Sequence, residues 1–149
     1  MNFLRECQCN RKIFKHSLVV AKTASRLVED LLDRGIKVDR GLVWAGALLH
    51  DVGRAVTADA KHGAEGARLL REAGFTEELA RIVERHVGAG IPIAEAADIG
   101  LYPKNYLPET LEEKIVCYAD KLVSGTKVTG IDYAVRSLAE RLGPDHPSV

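Results

Sequence analysis

Six residues of this 149-residue chain could share one piece of chemistry: His16, His50, Asp51, His62, His86 and Asp120. Neutral imidazole and carboxylate together form a normal mixed ligand set for zinc, iron, manganese and similar ions. Burying such groups one by one costs several kcal/mol each when they lack partners. A shared ion removes that conflict. A lone histidine on an apolar helix face is most often a hydrogen-bonded core residue, and the dipeptide His-Asp is weak evidence on its own. The combination is more telling, because four of the five histidines fall on inward faces of predicted helices. The fifth, His146, lies in the tail and has no role assigned.

The elements that must position these groups read as helices. Apolar residues recur at three and four, and no segment sustains two-residue alternation, which predicts an all-α fold. A first helix starts at an Asn10 cap and runs to about Arg34, with Ile13, Val20, Ala24, Leu27 and Leu31 on its inner stripe. His16 shares that stripe. A second follows an Asp39 cap through LVWAGALLHDVG, is apolar nearly all round, and is expected at the centre. A third spans about Asp59–Ala73, and a fourth Thr76–His86, with Gly74 and Gly88 as stops. A short helix over Ile93–Ile99 precedes an ordered loop, LYPKNYLP. Thr110-Leu-Glu-Glu113 is a capping box opening a helix to about Val123. A last helix covers Asp132–Leu142, and the tail PDHPSV is expected to be loose.

The remaining composition narrows the function classes. Twenty-one basic and twenty-one acidic residues cancel, so the strong positive field of a general nucleic-acid or membrane binder is missing. The longest apolar run, Leu42 to Leu49, is eight residues, against about 20 for a membrane helix. Three cysteines, Cys7, Cys9 and Cys117, do not make a disulfide framework and indicate a reducing, cytoplasmic setting. Cys117 is expected in the core. The length suits one domain over 1–149 with its core at about 10–142. Neither a nucleophile elbow nor a phosphate-cradling GxxxxGK[ST] loop is present.

The ordered pattern His16…His50-Asp51…Asp120 resembles the HD superfamily of metal-dependent phosphohydrolases, named for H…HD…D on a helical core. GALLHDVGR is similar to the HDIG subgroup, with Val52 in place of the usual Ile, and EEKIVCYADKL resembles the helix of the last ligand. KHGAEGARLL and RIVERHVGAGIP resemble the two segments that supply further histidines, here His62 and His86. The residue after His86 is Val87, so the histidine pair frequent there in bimetallic relatives is missing. The likeness covers about residues 10 to 142 and is nearest to small archaeal HDIG proteins, some of them fused to a tRNA ribose methyltransferase.

The resemblance implies a single helical bundle of about 6–8 helices and one or two divalent transition metal ions, Mn, Fe, Co, Ni or Zn. His16, His50, Asp51 and Asp120 would hold the first ion. Asp51, His62 and His86 would hold the second, with the Asp51 carboxylate bridging. It implies a phosphohydrolase in which metal-activated water cleaves a phosphate ester of a nucleotide or other small phosphorylated compound. Asp51 and Arg54 are the catalytic candidates. Arg54, three residues past Asp51, is the best phosphate partner, with Lys61 and Lys121 as weaker ones. Lys104, Asn105 and the tyrosines of the Tyr102–Tyr106 loop either cover the substrate or merely stiffen a connector. Two other readings stand beside it: a non-catalytic ligand-binding or accessory domain linked to RNA modification, and an HD-type di-iron oxygenase using the same ligands. The expected partners are a small phosphorylated substrate and, should apolar helix faces be exposed, a second copy of the chain.

Overall fold

The computed structural model describes residues 10–145. Cys7, Cys9, His146 and the end of the tail lie outside the described residues. Over these described residues the architecture is mostly helical, with seven α-helices, one 3₁₀ turn and a two-stranded hairpin.

Helix α1, Arg11–Asp33, begins where the Asn10 side chain accepts from the Lys12 amide. Helix α2, Arg40–Leu49, begins where the Asp39 carboxylate accepts from the Leu42 amide. A 3₁₀ turn follows at Val52–Ala55, then α3 at His62–Glu72 and α4 at Glu77–Glu84, capped by Thr76. Helix α5, Ile93–Asp98, leads through an extended loop to α6, Leu111–Lys121, capped by Thr110. The hairpin pairs β1, Val123–Ser124, with β2, Lys127–Val128, and α7, Ile131–Leu142, closes the described chain. Each of these caps satisfies an amide that the first helical turn would leave unpaired.

Helix α2 sits between α1, α4 and α6, as its apolar composition demanded. Val43 and Ala47 of α2 join Val20, Ala24 and Val28 of α1, Ile82 of α4, and Ile115, Val116 and Ala119 of α6 in the main core. Trp44 departs from the all-round burial expected of α2, with 39% of its surface exposed. A second cluster gathers Leu49, Val52, Ala67, Leu70, Leu79, Ala80 and Val83 beneath α3 and α4.

Several boundaries differ from the periodicity reading, for local reasons. Helix α2 does not run through His50-Asp51-Val52-Gly53, because the His50 ring takes the Ala47 carbonyl that the next helical amide would use. Helix α4 stops at Glu84 rather than His86, and just past its end the His86 ring takes the Val83 carbonyl. Helix α3 starts at His62 rather than Asp59, since the Asp59 carboxylate accepts the Lys61 amide in a tight turn. The capping box at α6 is shifted: Glu113 reaches back to the Glu109 amide, not that of Thr110. The hairpin went unforeseen because two residues per strand leave no alternation to read.

The site side of the bundle depends on one very close approach. A Cβ on Gly53 would run into the His62 carbonyl and the Gly66 amide nitrogen. A Cβ on Gly66 would press on Val83 Cγ1 at 2.7 Å. The 3₁₀ turn after Asp51 therefore lies directly on the backbone of α3, at the helix start that carries His62. Because the obstruction is backbone, Gly53→Ala is expected to destabilise the fold by on the order of 3 kcal/mol. Chemical denaturation checks this, and a wild-type midpoint in the variant would contradict the packing.

Candidate metal centre

The six candidate groups come from helix ends and one helix interior. His16 lies in α1. His50 is the C-cap of α2, and Asp51 precedes the 3₁₀ turn. His62 is the first residue of α3. His86 lies two residues past α4, and Asp120 is the penultimate residue of α6. The fold brings all six together. His50, Asp51, His62 and His86 are buried.

All four imidazoles are held by the same device. His50 Nδ1 lies 2.7 Å from the Ala47 carbonyl, His62 Nδ1 2.7 Å from the Asp59 carbonyl, and His86 Nδ1 2.7 Å from the Val83 carbonyl. His16 Nδ1 lies 2.7 Å from the carbonyl of Gly125, in the hairpin turn. A carbonyl oxygen only accepts, so each Nδ1 carries the proton. In the neutral ring each Nε2 then offers a lone pair, the arrangement of a histidine readied for a cation.

The lone pairs converge on two carboxylates. Asp51 Oδ1 faces His62 Nε2 at 3.2 Å and His86 Nε2 at 3.5 Å. Asp51 Oδ2 faces His50 Nε2 at 3.6 Å and His16 Nε2 at 4.0 Å. Asp120 Oδ1 lies 3.0 Å from His16 Nε2 and 3.4 Å from His50 Nε2. Three trios have their donor atoms within 4.8 Å of one another: His16, His50 and Asp51; His50, His86 and Asp120; and Asp51, His62 and His86.

This donor set fits a cation. His62 Nε2 and His86 Nε2 are 3.1 Å apart, so in the neutral rings two lone pairs face each other. Two nitrogens each about 2.1 Å from one ion, at right angles, lie about 3.0 Å apart. His50 Nε2 is fully buried and has no hydrogen-bond partner. Cations bound among these donors would satisfy all three atoms. The trio Asp51, His62 and His86 is the set expected for a second ion. The set expected for the first is divided: His16, His50 and Asp51 form one trio, while Asp120 joins His50 and His86 in another.

Charge follows geometry. Burial alone would raise the Asp51 carboxyl, but without an ion the His62 and His86 rings can donate to it from protonated Nε2, which outweighs burial and holds Asp51 far below the usual carboxylate range. Burial likewise opposes ionisation of Asp120, and Lys121, His50 and His16 overcome it. Burial pushes His86 down to about 4, with the positive charge of His50 adding to the effect. His50 goes the other way: burial disfavours its charge, yet the Asp120 and Asp51 carboxylates raise its pKa.

Around the donors lies a cavity of about 680 Å³, open on one side. Arg54 lines it and donates from Nε to Asp51 Oδ1 at 2.7 Å. Lys121 lines it too, bonded to Asp120 Oδ2 and lying 3.4 Å from the His86 carbonyl. Lys61 does not line the cavity; its ammonium lies toward Gly100.

The sequence profile of the HD domain family matches residues 13–125. The chain belongs to the HD domain family. An uncharacterized protein of Methanocaldococcus jannaschii is 49% identical over 141 residues, 95% of this chain and 83% of that protein. A tRNA (cytidine(56)-2'-O)-methyltransferase of Picrophilus torridus is 45% identical over 119 residues, 80% of this chain and 33% of the methyltransferase. Most of that enzyme therefore lies outside the likeness. Among solved structures, the HD domain of the L. monocytogenes phosphodiesterase PgpH, in complex with cyclic-di-AMP, matches with a TM-score of 0.65. It is 18% identical, over 95% of this chain and 84% of that one, and so speaks for the fold alone.

The Tyr102–Tyr106 loop of this HD domain is a brace and does not line the cavity. Lys104 pairs with Glu84 at 2.9 Å, Asn105 Oδ1 accepts the Ile93 amide, and the Tyr106 hydroxyl donates to the Tyr102 carbonyl. Three contributors were missed by sequence reasoning: the hairpin turn whose Gly125 carbonyl orients His16, and the α7 residues Tyr133 and Arg141 on the cavity wall. The pair Ser124-Gly125 was a readable turn signal. No helix among the described residues is long and apolar enough to cross a membrane.

A proton on His50 blocks its lone pair, and its raised pKa keeps that proton on to a higher pH than the ordinary 6.5. Affinity of this HD domain for Mn²⁺ should therefore fall as pH drops, and the fall should begin above the ordinary histidine range. His86, neutral down to about 4, should not drive that fall. Calorimetric titration across this range checks the sign, and an affinity flat from pH 8 to 5 would contradict the donor assignment.

Proposed function

We propose that this HD domain is a metal-dependent phosphohydrolase that cleaves a phosphate ester of a nucleotide or another small phosphorylated compound. The observation that carries the reading is the convergence of four anchored imidazoles on two carboxylates at the floor of an open cavity. His16, His50, Asp51 and Asp120 would hold one divalent ion, and Asp51, His62 and His86 a second. The separate faces of Asp51, Oδ1 toward His62 and His86 and Oδ2 toward His50 and His16, support a bridging role. Manganese, iron, cobalt, nickel and zinc all suit these donors.

When bound, the ions supply an acidified water and take up charge on the phosphoryl oxygens. The chain's residues do the rest. Asp51 is kept ionised, so it offers both oxygens at neutral pH. The anchored Nδ1 atoms prevent the rings from turning away. Arg54 holds Asp51 through Nε, and its Nη1 lies 3.5 Å from the Ala58 carbonyl, so Nη2 is left for a phosphoryl oxygen. Lys121, already on Asp120, steadies that carboxylate and is a weaker phosphate partner. In the net reaction the water oxygen joins phosphorus, the bond to the ester oxygen breaks, and the departing oxygen gains a proton.

A second reading has one observation in its favour. The Picrophilus methyltransferase carries a region like this chain within a much longer protein, which suits an accessory domain linked to RNA modification. The two readings diverge on Asp51. With manganese-loaded protein and a panel of phosphomonoesters and phosphodiesters, Asp51→Asn is expected to lose both bound metal and phosphate-ester hydrolysis. Arg54→Ala is expected to keep metal and lose about 10- to 100-fold in kcat/KM, the loss of one charge-assisted hydrogen bond. Full metal loading without turnover on any ester would favour the accessory reading.

A further inference from the structure

The cavity is larger than the chemistry at its floor requires. Its volume of about 680 Å³ falls in the range of pockets that enclose whole small molecules, and a single phosphate group fills only a small part. The wall formed by α7 carries Tyr133, Ala134, Ser137 and Arg141. Tyr133, Ser137 and Arg141 are spaced four apart and run along one helix face. From Tyr133 to Arg141 the helix rises about 12 Å.

This face is presented to the cavity and not packed into a core. Ala134 is buried, whereas 47% of Tyr133 is exposed and Arg141 is exposed as well. Arg141 donates from Nε to the Ser137 carbonyl one turn back, and no carboxylate among the described residues pairs with it. Arg40, Arg68, Arg71, Arg81 and Arg85 each hold a glutamate. An unpaired guanidinium on a cavity wall suits an anion with planar, bidentate oxygens. An open aromatic ring two turns before it suits a flat heterocycle, because ring stacking tolerates any base.

We propose that α7 forms a second subsite of the cavity, taking a nucleotide that bears two phosphate groups: one at the His/Asp floor, the base against Tyr133, and the other phosphate against Arg141. The proposal rests on the phosphohydrolase reading and narrows its substrate class to nucleotides with a second phosphate.

The test is calorimetric binding to the manganese-loaded full chain with adenosine 3′,5′-bisphosphate, 3′-AMP and 5′-AMP. The bisphosphate is expected to bind at least about tenfold more tightly than either monophosphate. Arg141→Ala should erase that preference, and Arg141→Lys should restore part of it. Tyr133→Ala should weaken all three ligands several-fold, and Tyr133→Phe should rescue them. Arg136→Ala, on the same helix but off the cavity wall, should change nothing. Equal binding of all three ligands to the wild type, or a preference that survives Arg141→Ala, would overturn the subsite. Turnover is read separately. An Arg141-dependent preference without hydrolysis of any ester would sink the hydrolase reading and leave the subsite standing. Hydrolysis without that preference would do the reverse.

Discussion

The structure is organised around a charge problem. Two carboxylates and four imidazoles occupy one half-enclosed space, with His62 and His86 nitrogens only 3.1 Å apart. Such a cluster is unfavourable unless cations share it. The chain supplies two of its own, Arg54 on Asp51 and Lys121 on Asp120. The Nε2 atoms stay oriented inward because each ring is tethered through its other nitrogen to a backbone carbonyl.

That tethering explains where the helices stop. The carbonyls of the last helical turn lack helical partners, and His50 and His86 use them. Ending a helix and orienting a ligand are thus one event at α2, and at α4 a carbonyl of the last turn again anchors a ligand. Gly53 and Gly66 serve the same end. With side chains at Gly53 or Gly66, the 3₁₀ turn after Asp51 would stand away from α3, and His62 would stand away from Asp51.

Much of this was legible before any coordinates. The caps at Asn10, Asp39 and Thr110 all open helices, because a capping side chain and the apolar period behind it are both local signals. The inward set His16, His50, Asp51, His62, His86 and Asp120 could be named because each shares a face with apolar neighbours. Other features depended on contacts between distant segments. Nothing near Gly125 signals that its carbonyl will meet His16, and nothing in Tyr133 or Arg141 signals a cavity. Lys61 stood beside a candidate ligand in sequence, but it lies in the turn before α3 and its ammonium lies toward Gly100.

The bond between His16 and the hairpin joins residues 109 positions apart, and the contact of His16 with Asp120 spans 104. The donors thus come from both ends of the described chain, and no shorter stretch holds them all. Closing so long a loop costs chain entropy that only the packed helices can offset. His16 gains its carboxylate partner only when α1 meets α6, and its anchor only when α1 meets the hairpin that follows. A complete set of donors is therefore a late product of folding, and a chain still being synthesised has none until Asp120 and Gly125 have been added.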